Sequence, residues 1–304
     1  GCNKLEIIEF IGKSKLESIG DFAFQSTKIQ RVLIQPHVKI IGNNAFNNCN
    51  DLQYVDFTDN SELESIGNNA FGSSNIKKLF IPPKINILKI DAFLNNKQLN
   101  AIEVSIDNKN FKYIDDSLLI YKKDEKNSDY DTLIWARRNI DQVVIPSFIK
   151  EISSYAFYGC DNLKKIEFAE NSELKIISKN AFRSSRIESI LVPNKVELIE
   201  EYAFYDCRYL KNIEFLDDSQ LQSIGNNAFD GSGITKIVIP TNVQQIGNSA
   251  FQSTKSLNSI EFSNDSKYYI IENNTFNSSS IQEIKIPSSV EIIEQYAFKN
   301  CNRL

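Results

Sequence analysis

The five cysteines of this 304-residue chain are the side chains most able to do chemistry, as disulfides, metal ligands or reactive thiols. Their spacing is regular. Cys2 and Cys49 are 47 residues apart, as are Cys160 and Cys207, and Cys301 follows after a further 94. All but Cys2 stand three residues after an Ala-Phe pair. The cysteines therefore occupy one position of a repeating unit.

This spacing argues against disulfides and against a zinc site. If the unit comprises two coils stacked at about 4.8 Å each, equivalent cysteines lie roughly 10 Å apart, whereas a disulfide needs Cα atoms within about 7 Å. The chain has no Cys-x-x-Cys pair and a single histidine, which excludes a zinc constellation. We expect a small buried thiol at the turn that enters a strand, where other coils have Asn96 and Thr254.

The other polar residues form no catalytic pattern. His37 lies in a proline-bounded bend, and no serine or cysteine has a histidine partner in an equivalent coil. The acidic residues recur with the repeat instead of converging as a pair. The pairs Asp115-Asp116 and Asp217-Asp218 could contact calcium, but they lack an EF-hand-like spacing, so we interpret them as surface turns. The sequence thus predicts no enzyme, no cofactor and no metal.

The repeat that positions these residues is marked by an Ala-Phe dipeptide, which returns at alternating intervals of 22 and 25 residues. Its phenylalanines are Phe24, Phe46, Phe71, Phe93, Phe157, Phe182, Phe204, Phe229, Phe251 and Phe298, and Thr275-Phe276 fills one further position. A fixed period of this size indicates stacked structural repeats, none of which buries its apolar face alone. The alternation makes the unit a pair of coils, 47 residues long (22 + 25).

Each coil contains one strand-like segment and a return path. An aliphatic residue stands five residues before each phenylalanine, from Ile19 to Ile293, and an apolar-x-x-apolar-x-apolar run such as 52–57 follows it. The last three residues of that run alternate as in a strand with one buried face. Because so short a coil has little room for a long helix, we expect about twelve coils with parallel strands, joined by turn, 3-10 or extended crossovers.

Glycine follows the strict aliphatic position in five coils, at Gly20, Gly42, Gly67, Gly225 and Gly247. Other coils have Lys89, Ser153, Glu200, Glu272 or Glu294 there. Since side chains of several kinds occupy the position, we do not expect it to require positive φ.

The motif Ala-Phe-x-x-Cys-x-x-Leu-x-x-Ile-x-Phe, followed by an Ile-Pro-x-x-Val-x-x-Ile-Gly-x-x-Ala-Phe coil such as 239–251, resembles the BspA-like, or treponemal-type, leucine-rich repeat. The resemblance covers nearly the whole chain. It implies a leucine-rich-repeat solenoid, and proteins similar to it are found on the surface of, or secreted by, oral and gut bacteria and anaerobic protozoa. Several are adhesins for host extracellular-matrix or plasma proteins or for partner cells. The resemblance implies binding, but it names neither catalytic residues nor a ligand.

One coil is irregular, because Phe93 and Phe157 are 64 residues apart, which is one 47-residue unit plus 17. We predict a single solenoid over 1–304 in which residues 105–140 form an irregular coil with an inserted β-hairpin. Its strands are expected at 114–121 and 132–135, bridged by the charged stretch 122–129. The hairpin would project from the coil and replace one Ala-Phe crossover.

The irregular coil holds the only tryptophan, Trp135, together with Tyr113, Tyr121 and Tyr130. Exposed aromatic side chains beside charges are enriched at binding hot spots, which makes Tyr121, Tyr130 and Trp135 candidate ligand contacts. Alternatively, these rings pack inward and fill the gap left by the missing Ala-Phe pair. The sequence leaves both interpretations open.

The stacked strands predict one continuous face, whose centre line is the outward residue between the two apolar residues of each strand. Acidic and apolar side chains alternate along it, between Glu9 and Lys285: Leu33, Asp56, Phe80, Glu103, Val144, Glu167, Leu191, Glu214, Val238 and Glu261. Exposed apolar residues in register fit a protein-binding surface. The alternative is that they reflect β-propensity, with the acids limiting edge-to-edge aggregation.

Composition limits the partners. The net charge is −5 and the acidic stripe argues against nucleic acid, while no apolar run is long enough to cross a bilayer. The chain begins and ends within a coil and has no methionine, so we expect a fragment of a longer array. The favoured function is a cell-surface or secreted module that binds a host or partner-cell protein. An intracellular scaffold and a passive spacer are the alternatives, and the ligand and oligomeric state stay open.

Overall fold

Each coil runs through a strand of four residues, a bend, a strand of two residues and the Ala-Phe turn. This path is seen in a computed structural model that describes residues 2–10, 13–89, 91–122 and 129–304, and these residues form strands and turns without a helix. Two units are described separately below: Gly1–Tyr130 with Ile134–Arg138, and Asp131–Leu133 with Asn139–Leu304.

In the first unit, four-residue and two-residue strands alternate along the chain. They are β1 (Ser18–Ile19), β2 (Arg31–Ile34), β3 (Ile40–Ile41), β4 (Tyr54–Phe57), β5 (Ser65–Ile66), β6 (Lys78–Ile81), β7 (Ile87–Leu88) and β8 (Ala101–Val104). The two-residue strands pair in parallel in the order β1-β3-β5-β7, while β2 pairs with β4 and β6 with β8. A coil therefore carries one parallel ladder on its long-strand side and another on its crossover side.

Three strands form the irregular part: β9 (Phe111–Ile114), β10 (Leu118–Tyr121) and β11 (Thr132–Ala136). The second unit then repeats the alternation with β12 (Gln142–Ile145), β13 (Glu151–Ile152), β14 (Lys165–Phe168), β15 (Ile176–Ile177), β16 (Ser189–Val192), β17 (Leu198–Ile199), β18 (Asn212–Phe215), β19 (Ser223–Ile224), β20 (Lys236–Ile239), β21 (Gln245–Ile246), β22 (Ser259–Phe262), β23 (Ile270–Ile271), β24 (Glu283–Ile284) and β25 (Ile292–Ile293). Its even-numbered strands form one parallel sheet in sequence order from β12 to β24.

The core of each unit is a column of phenylalanine rings contributed by the Ala-Phe pairs. In the second unit the ring centroids of Phe182 and Phe204 are 5.0 Å apart, and those of Phe204 and Phe229 are 5.2 Å apart, with nearly parallel planes. The backbone N–H of Phe204 donates to the carbonyl of Ala228 in the next coil. Stacked rings and backbone hydrogen bonds thus hold successive crossovers together, and the Ala-Phe pairs fill the interior of the coils.

Two residues of the Ala-Phe turn adopt the left-handed conformation in most coils. One precedes the pair and the other stands two residues after it, as with Asn44 and Asn48, whose φ angles are 53° and 58°. Asparagine and aspartate tolerate this region better than other non-glycine residues. The turn therefore accounts for part of the asparagine-rich character of the chain. The glycines after the aliphatic position do not have positive φ, as predicted.

The four cysteines that follow an Ala-Phe pair lie where the sequence predicts, at the end of this turn. Cys49 and Cys207 are fully buried, whereas Cys301 is partly buried and Cys2 is exposed, and no disulfide joins cysteines of the described residues. The Cys207 thiol donates to the carbonyl of Phe182 at 2.9 Å and lies 3.6 Å from the Ser185 hydroxyl. Asn96 occupies the same position in its coil and donates to the carbonyl of Phe71. In these two coils the position therefore holds a small polar group that satisfies a carbonyl of the preceding coil, whereas the Thr254 hydroxyl donates to the carbonyl of Phe251 in its own coil.

Candidate functional site

The residues of the predicted centre line point outward, because the four-residue strands of the regular coils bury their second residue and leave their third exposed or half-exposed. In the first unit Leu33, Phe80 and Glu103 are exposed and Asp56 is half-buried. In the second unit Val144, Glu167, Leu191, Glu214, Val238 and Glu261 are exposed. The exposed fraction of the five apolar side chains lies between 38% for Phe80 and 52% for Val144. We name the centre-line residues of each unit, together with the outward residue that opens each strand, the strand face.

The register brings these residues into rows. In the second unit Val144 lies opposite Glu167, Leu191 opposite Glu214 and Val238 opposite Glu261. In the first unit Leu33 lies opposite Asp56, and Phe80 lies opposite Glu103. Within each unit, acidic and apolar side chains therefore alternate from coil to coil.

Most acids of the strand face are neutralised by a cation that opens a neighbouring strand. Arg31 pairs with Asp56 at 3.0 Å, Lys78 with Glu103 at 2.7 Å and Lys236 with Glu261 at 2.7 Å, each across one coil. Exposed pairs of this kind contribute little to stability, about 0–1 kcal/mol each. They nevertheless neutralise the negative charge of Asp56, Glu103 and Glu261 at the strand face.

The second unit departs from that pattern around β16. Gln142 and Ser189 open β12 and β16, where the equivalent strands β2, β6 and β20 have arginine or lysine. Glu167 is paired instead with Lys165 of its own strand, at 2.6 Å. Glu214 makes no ion pair within 4.0 Å among the residues that the structure describes. The sequence interpretation missed this gap, which a comparison of the strand-opening residues would have shown.

A groove of about 840 Å³ lies on the strand face at this place. Its apolar lining includes Val144, Leu191 and Leu216, and its acidic lining includes Glu214 and Asp218. Leu216 is 42% exposed, although the sequence did not identify it as part of the face. Concave sites with apolar walls and a few polar groups are typical ligand sites.

The irregular coil contains a hairpin, but with other bounds than predicted. β9 and β10 pair antiparallel with Phe111 opposite Tyr121. The turn between them uses Asp115 and Asp116, which have φ angles of 50° and 47°. The prediction of one strand over 114–121 was therefore wrong, because two consecutive left-handed residues reverse the chain. Residues 123–128 of the predicted bridge lie outside the described residues.

The aromatic residues of this region pack largely inward, so the predicted projection is also corrected. Trp135 is 4% exposed and lies 6.4 Å from the Tyr113 ring, while Tyr121 stacks on Phe111 at 5.0 Å. Burial raises the pKa of Tyr113 to about 12, with a further contribution from Asp116. Trp135 therefore has little exposed surface for a ligand. Its position fits the alternative that aromatic rings fill the interior space left by the missing Ala-Phe pair.

Tyr130 differs from the other rings because it is partly exposed. Its hydroxyl donates to the carbonyl of Lys109 at 2.9 Å, and the Lys112 ammonium lies 4.2 Å from its ring centroid. Tyr121 is partly exposed as well. Both stay candidate contacts.

The remaining candidates for chemistry lie apart on the surface. His37 lies 3.4 Å from Glu62, on an exposed bend. The pairs Asp115-Asp116 and Asp217-Asp218 form exposed turns, as predicted. Within the described ranges, no group of three or more histidine, cysteine, aspartate or glutamate residues is arranged to hold a metal ion. Those ranges also contain no helix that is long and apolar enough to cross a membrane.

Parallel ladders on two sides, with coils of 22 and 25 residues and a column of phenylalanines, define a leucine-rich-repeat solenoid of about twelve coils. The family model described as the BspA type leucine-rich repeat region matches residues 1–122, 132–220 and 175–304, in 6 copies. The chain belongs to this family, as its repeat motif predicts. Among curated proteins, none matches it.

Solved structures with the same fold come from several bacteria. A leucine-rich repeat protein from Eubacterium ventriosum is 21% identical with a TM-score of 0.75, over 93% of this chain and 80% of that one. The pneumococcal vaccine antigen PcpA is 22% identical with a TM-score of 0.63, and the match covers 94% of this chain and 67% of that one. A leucine-rich cell surface protein from Faecalibacterium prausnitzii is 22% identical with a TM-score of 0.61, over 96% and 69%. At these identities the likeness establishes the fold.

Proposed function

We propose that the chain is a non-enzymatic binding module of a cell-surface or secreted protein, and that it binds a partner protein through the strand face. The observation that carries the proposal is the set of five apolar side chains, Leu33, Phe80, Val144, Leu191 and Val238, which are 38–52% exposed at the same strand position. Exposed apolar side chains that recur in register within each unit, unlike singly scattered ones, support an interaction surface.

The construction of the face supports the same function. Its side chains stand on hydrogen-bonded strands whose inward residues, such as Ile190 and Ile213, are buried. Partner binding would therefore cost little ordering of this surface, which favours affinity. The family and the neighbours described as a vaccine antigen and a cell surface protein support the surface location. The adhesins that the repeat motif resembles support a host extracellular-matrix, plasma or cell-surface protein as the class of partner.

The test replaces Phe80, Val144 and Leu191 with glutamate and measures binding to a panel of immobilised extracellular-matrix and plasma proteins. For every panel member that the unmodified chain binds, we expect affinity to fall roughly tenfold or more, because buried hot-spot residues each contribute over about 1 kcal/mol. The matched control carries glutamate at Ile40, Ile87 and Phe148, which are exposed to a similar degree, 46–50%, away from the centre line.

Unchanged binding by the folded face variant, or an equal loss in the control, would contradict the proposal. If the unmodified chain binds no member of the panel, a passive spacer is favoured. The same face could serve an intracellular scaffold. A signal peptide or membrane anchor in the full reading frame distinguishes that alternative, and its finding would place the binding face outside the cell.

A further inference from the structure

Glu214 lacks the strand-opening cation that pairs with most other acids of the strand face, and this gives the face a preference for positively charged groups. In a paired acid of the face, such as Glu261, the carboxylate oxygen lies 2.7 Å from the ammonium nitrogen of Lys236, which opens the strand of the preceding coil. At Glu214 the equivalent opening residue is Ser189, and Asn212 opens the strand of Glu214 itself. Neither side chain carries charge, so the carboxylate of Glu214 faces the groove uncompensated.

We propose that this groove binds a partner segment in which an arginine or lysine stands between apolar side chains, the cation meeting Glu214. The inference rests on the proposed function, since it takes the strand face as the binding surface and names the chemistry of the occupant. Val144, Leu191 and Leu216 provide the apolar contacts, each 42–52% exposed.

Charge complementarity decides between occupants. Of the charged residues that line the groove, one is a lysine and four are acids, Glu167, Glu170, Glu214 and Asp218, so the lining carries a net charge of −3 (1 − 4). Lys165 is already engaged by Glu167, and Asp218 accepts a hydrogen bond from Asn194 at 2.7 Å. An acidic segment would therefore meet repulsion. Glu170 lies in the turn after β14, so of the two acids of the lining with neither kind of partner among the described residues, only Glu214 stands on a strand, opposite Leu191.

A side-chain cation suits this place better than a free ion. A divalent cation such as calcium takes six to eight oxygen ligands, whereas Glu214 stands beside Leu191 and the amide of Asn212. The alkyl stem of arginine or lysine covers apolar surface while the charged head reaches a carboxylate. Once the partner excludes water, the pair is stronger than an exposed one, and the wrong charge is rejected.

The experiment uses three fluorescent peptides of the form Ser-Leu-Ser-X-Ser-Leu-Ser, in which X is arginine, norleucine or glutamate. In an extended peptide both leucines and X share one side. Fluorescence anisotropy is titrated with the unmodified chain and with Glu214→Gln, Ser189→Lys, Glu261→Gln and Leu191→Glu. We expect the arginine peptide to bind at least about tenfold more tightly than the glutamate peptide, which corresponds to one close charge pair.

Glu214→Gln removes the acceptor and Ser189→Lys supplies the missing internal cation, so each should abolish the preference for arginine over norleucine. Glu261→Gln is the matched control, because that acid already has an internal partner, and it should keep the preference. Persistence of the preference in both Glu214→Gln and Ser189→Lys would overturn the inference. So would equal binding of the arginine and glutamate peptides, or no binding of any peptide by the unmodified chain.

Leu191→Glu separates this inference from the proposed function. If arginine and norleucine peptides bind equally and Leu191→Glu abolishes both, the face binds apolar segments and only the charge preference fails. If Leu191→Glu leaves binding unchanged, the strand face itself is not the binding surface. Self-association of the unmodified chain in sedimentation, lost in Ser189→Lys, would identify a second copy as the occupant and overturn the inference.

Discussion

A thiol such as that of Cys207 contributes packing and one hydrogen bond instead of reactivity. It is fully buried, donates to the carbonyl of Phe182, and burial raises the pKa of Cys207 to about 12. Burial also raises the pKa of Cys49. Because the thiolate is the reactive species, these cysteines are protected in the folded chain. Cys2, in contrast, is exposed.

The raised pKa predicts a dependence of stability on pH. The Cys207 thiol has an ordinary pKa of 9.0 when unfolded and about 12 when folded. Its contribution to the free energy of unfolding is therefore fully present below pH 9. That contribution is lost as the pH rises towards 12, because the unfolded chain releases the proton first. We expect the urea midpoint of the unmodified chain to fall over this range more steeply than that of Cys207→Ser, whose hydroxyl does not titrate there. At pH 8, Ellman's reagent should label Cys2 in the folded chain and Cys207 only after unfolding. Parallel pH profiles of the two proteins, or rapid labelling of Cys207, would contradict this.

The sequence predicted the place of the cysteines but not their partners. A spacing of 47 residues is visible in one dimension, and it excludes disulfides by distance. The contact of Cys207 with Ser185, 22 residues away, depends on how successive coils are offset in space. For the gap at Glu214, a comparison of the strand-opening residues would have singled out Ser189, but only the register shows which acid it leaves unpaired. Ser189 stands where a lysine would neutralise the next coil.

Among the turns, the glycines after the aliphatic position act through close approach of neighbouring coils. A Cβ atom at Gly225 would lie 2.5 Å from the backbone nitrogen of Glu201 and 2.6 Å from the carbonyl carbon of Glu200. At Gly20 no atom lies within 4 Å of the equivalent point. The prediction that these glycines need no positive φ is confirmed. The sequence could not show that a Cβ atom clashes at Gly225 and has free space at Gly20, because both depend on how the coils stack.

We therefore expect Gly225→Ala to destabilise the chain by about 1–3 kcal/mol, the usual cost of overpacking against backbone. Gly20→Ala should be neutral or slightly stabilising, because alanine restricts the unfolded chain without a clash. Thermal unfolding followed by circular dichroism measures both. An equal effect of the two substitutions would show that close approach does not distinguish these positions.

For the irregular coil, the sequence located the interruption but not its packing. The excess of 17 residues between Phe93 and Phe157 located the interruption, but the two short apolar runs predicted a hairpin with other strands than β9 and β10. The direction of the aromatic rings was not predictable, because a missing Ala-Phe pair leaves interior space that Trp135, Tyr113 and Tyr121 can occupy only in the folded coil. The left-handed turn at Asp115-Asp116 is likewise a local conformation that the apolar pattern does not encode.

For the chain taken together, the repeat predicts one array over 1–304, in which stability passes between neighbouring coils. Trp135 reports on the first unit, where it packs beside Tyr113, whereas circular dichroism follows strands of both units. A substitution confined to the second unit therefore tests whether the units unfold together. Phe204 is suitable, because it is fully buried and its ring stacks between those of Phe182 and Phe229.

We propose that Phe204→Ala lowers the urea midpoint of both signals together. Removing a buried phenylalanine costs about 3–5 kcal/mol, and in a single array that loss reaches every coil coupled to it. Phe298→Ala is the control. This ring is partly buried and, among the residues that the structure describes, stacks only on Phe276 at 5.4 Å, so the midpoint of this variant should fall less. If Phe204→Ala shifts the circular dichroism transition while Trp135 fluorescence keeps its midpoint, the two units are independent domains. Coincident transitions from two probes are the accepted sign of one cooperative unit. They would show that the coils marked by the 47-residue repeat also unfold together.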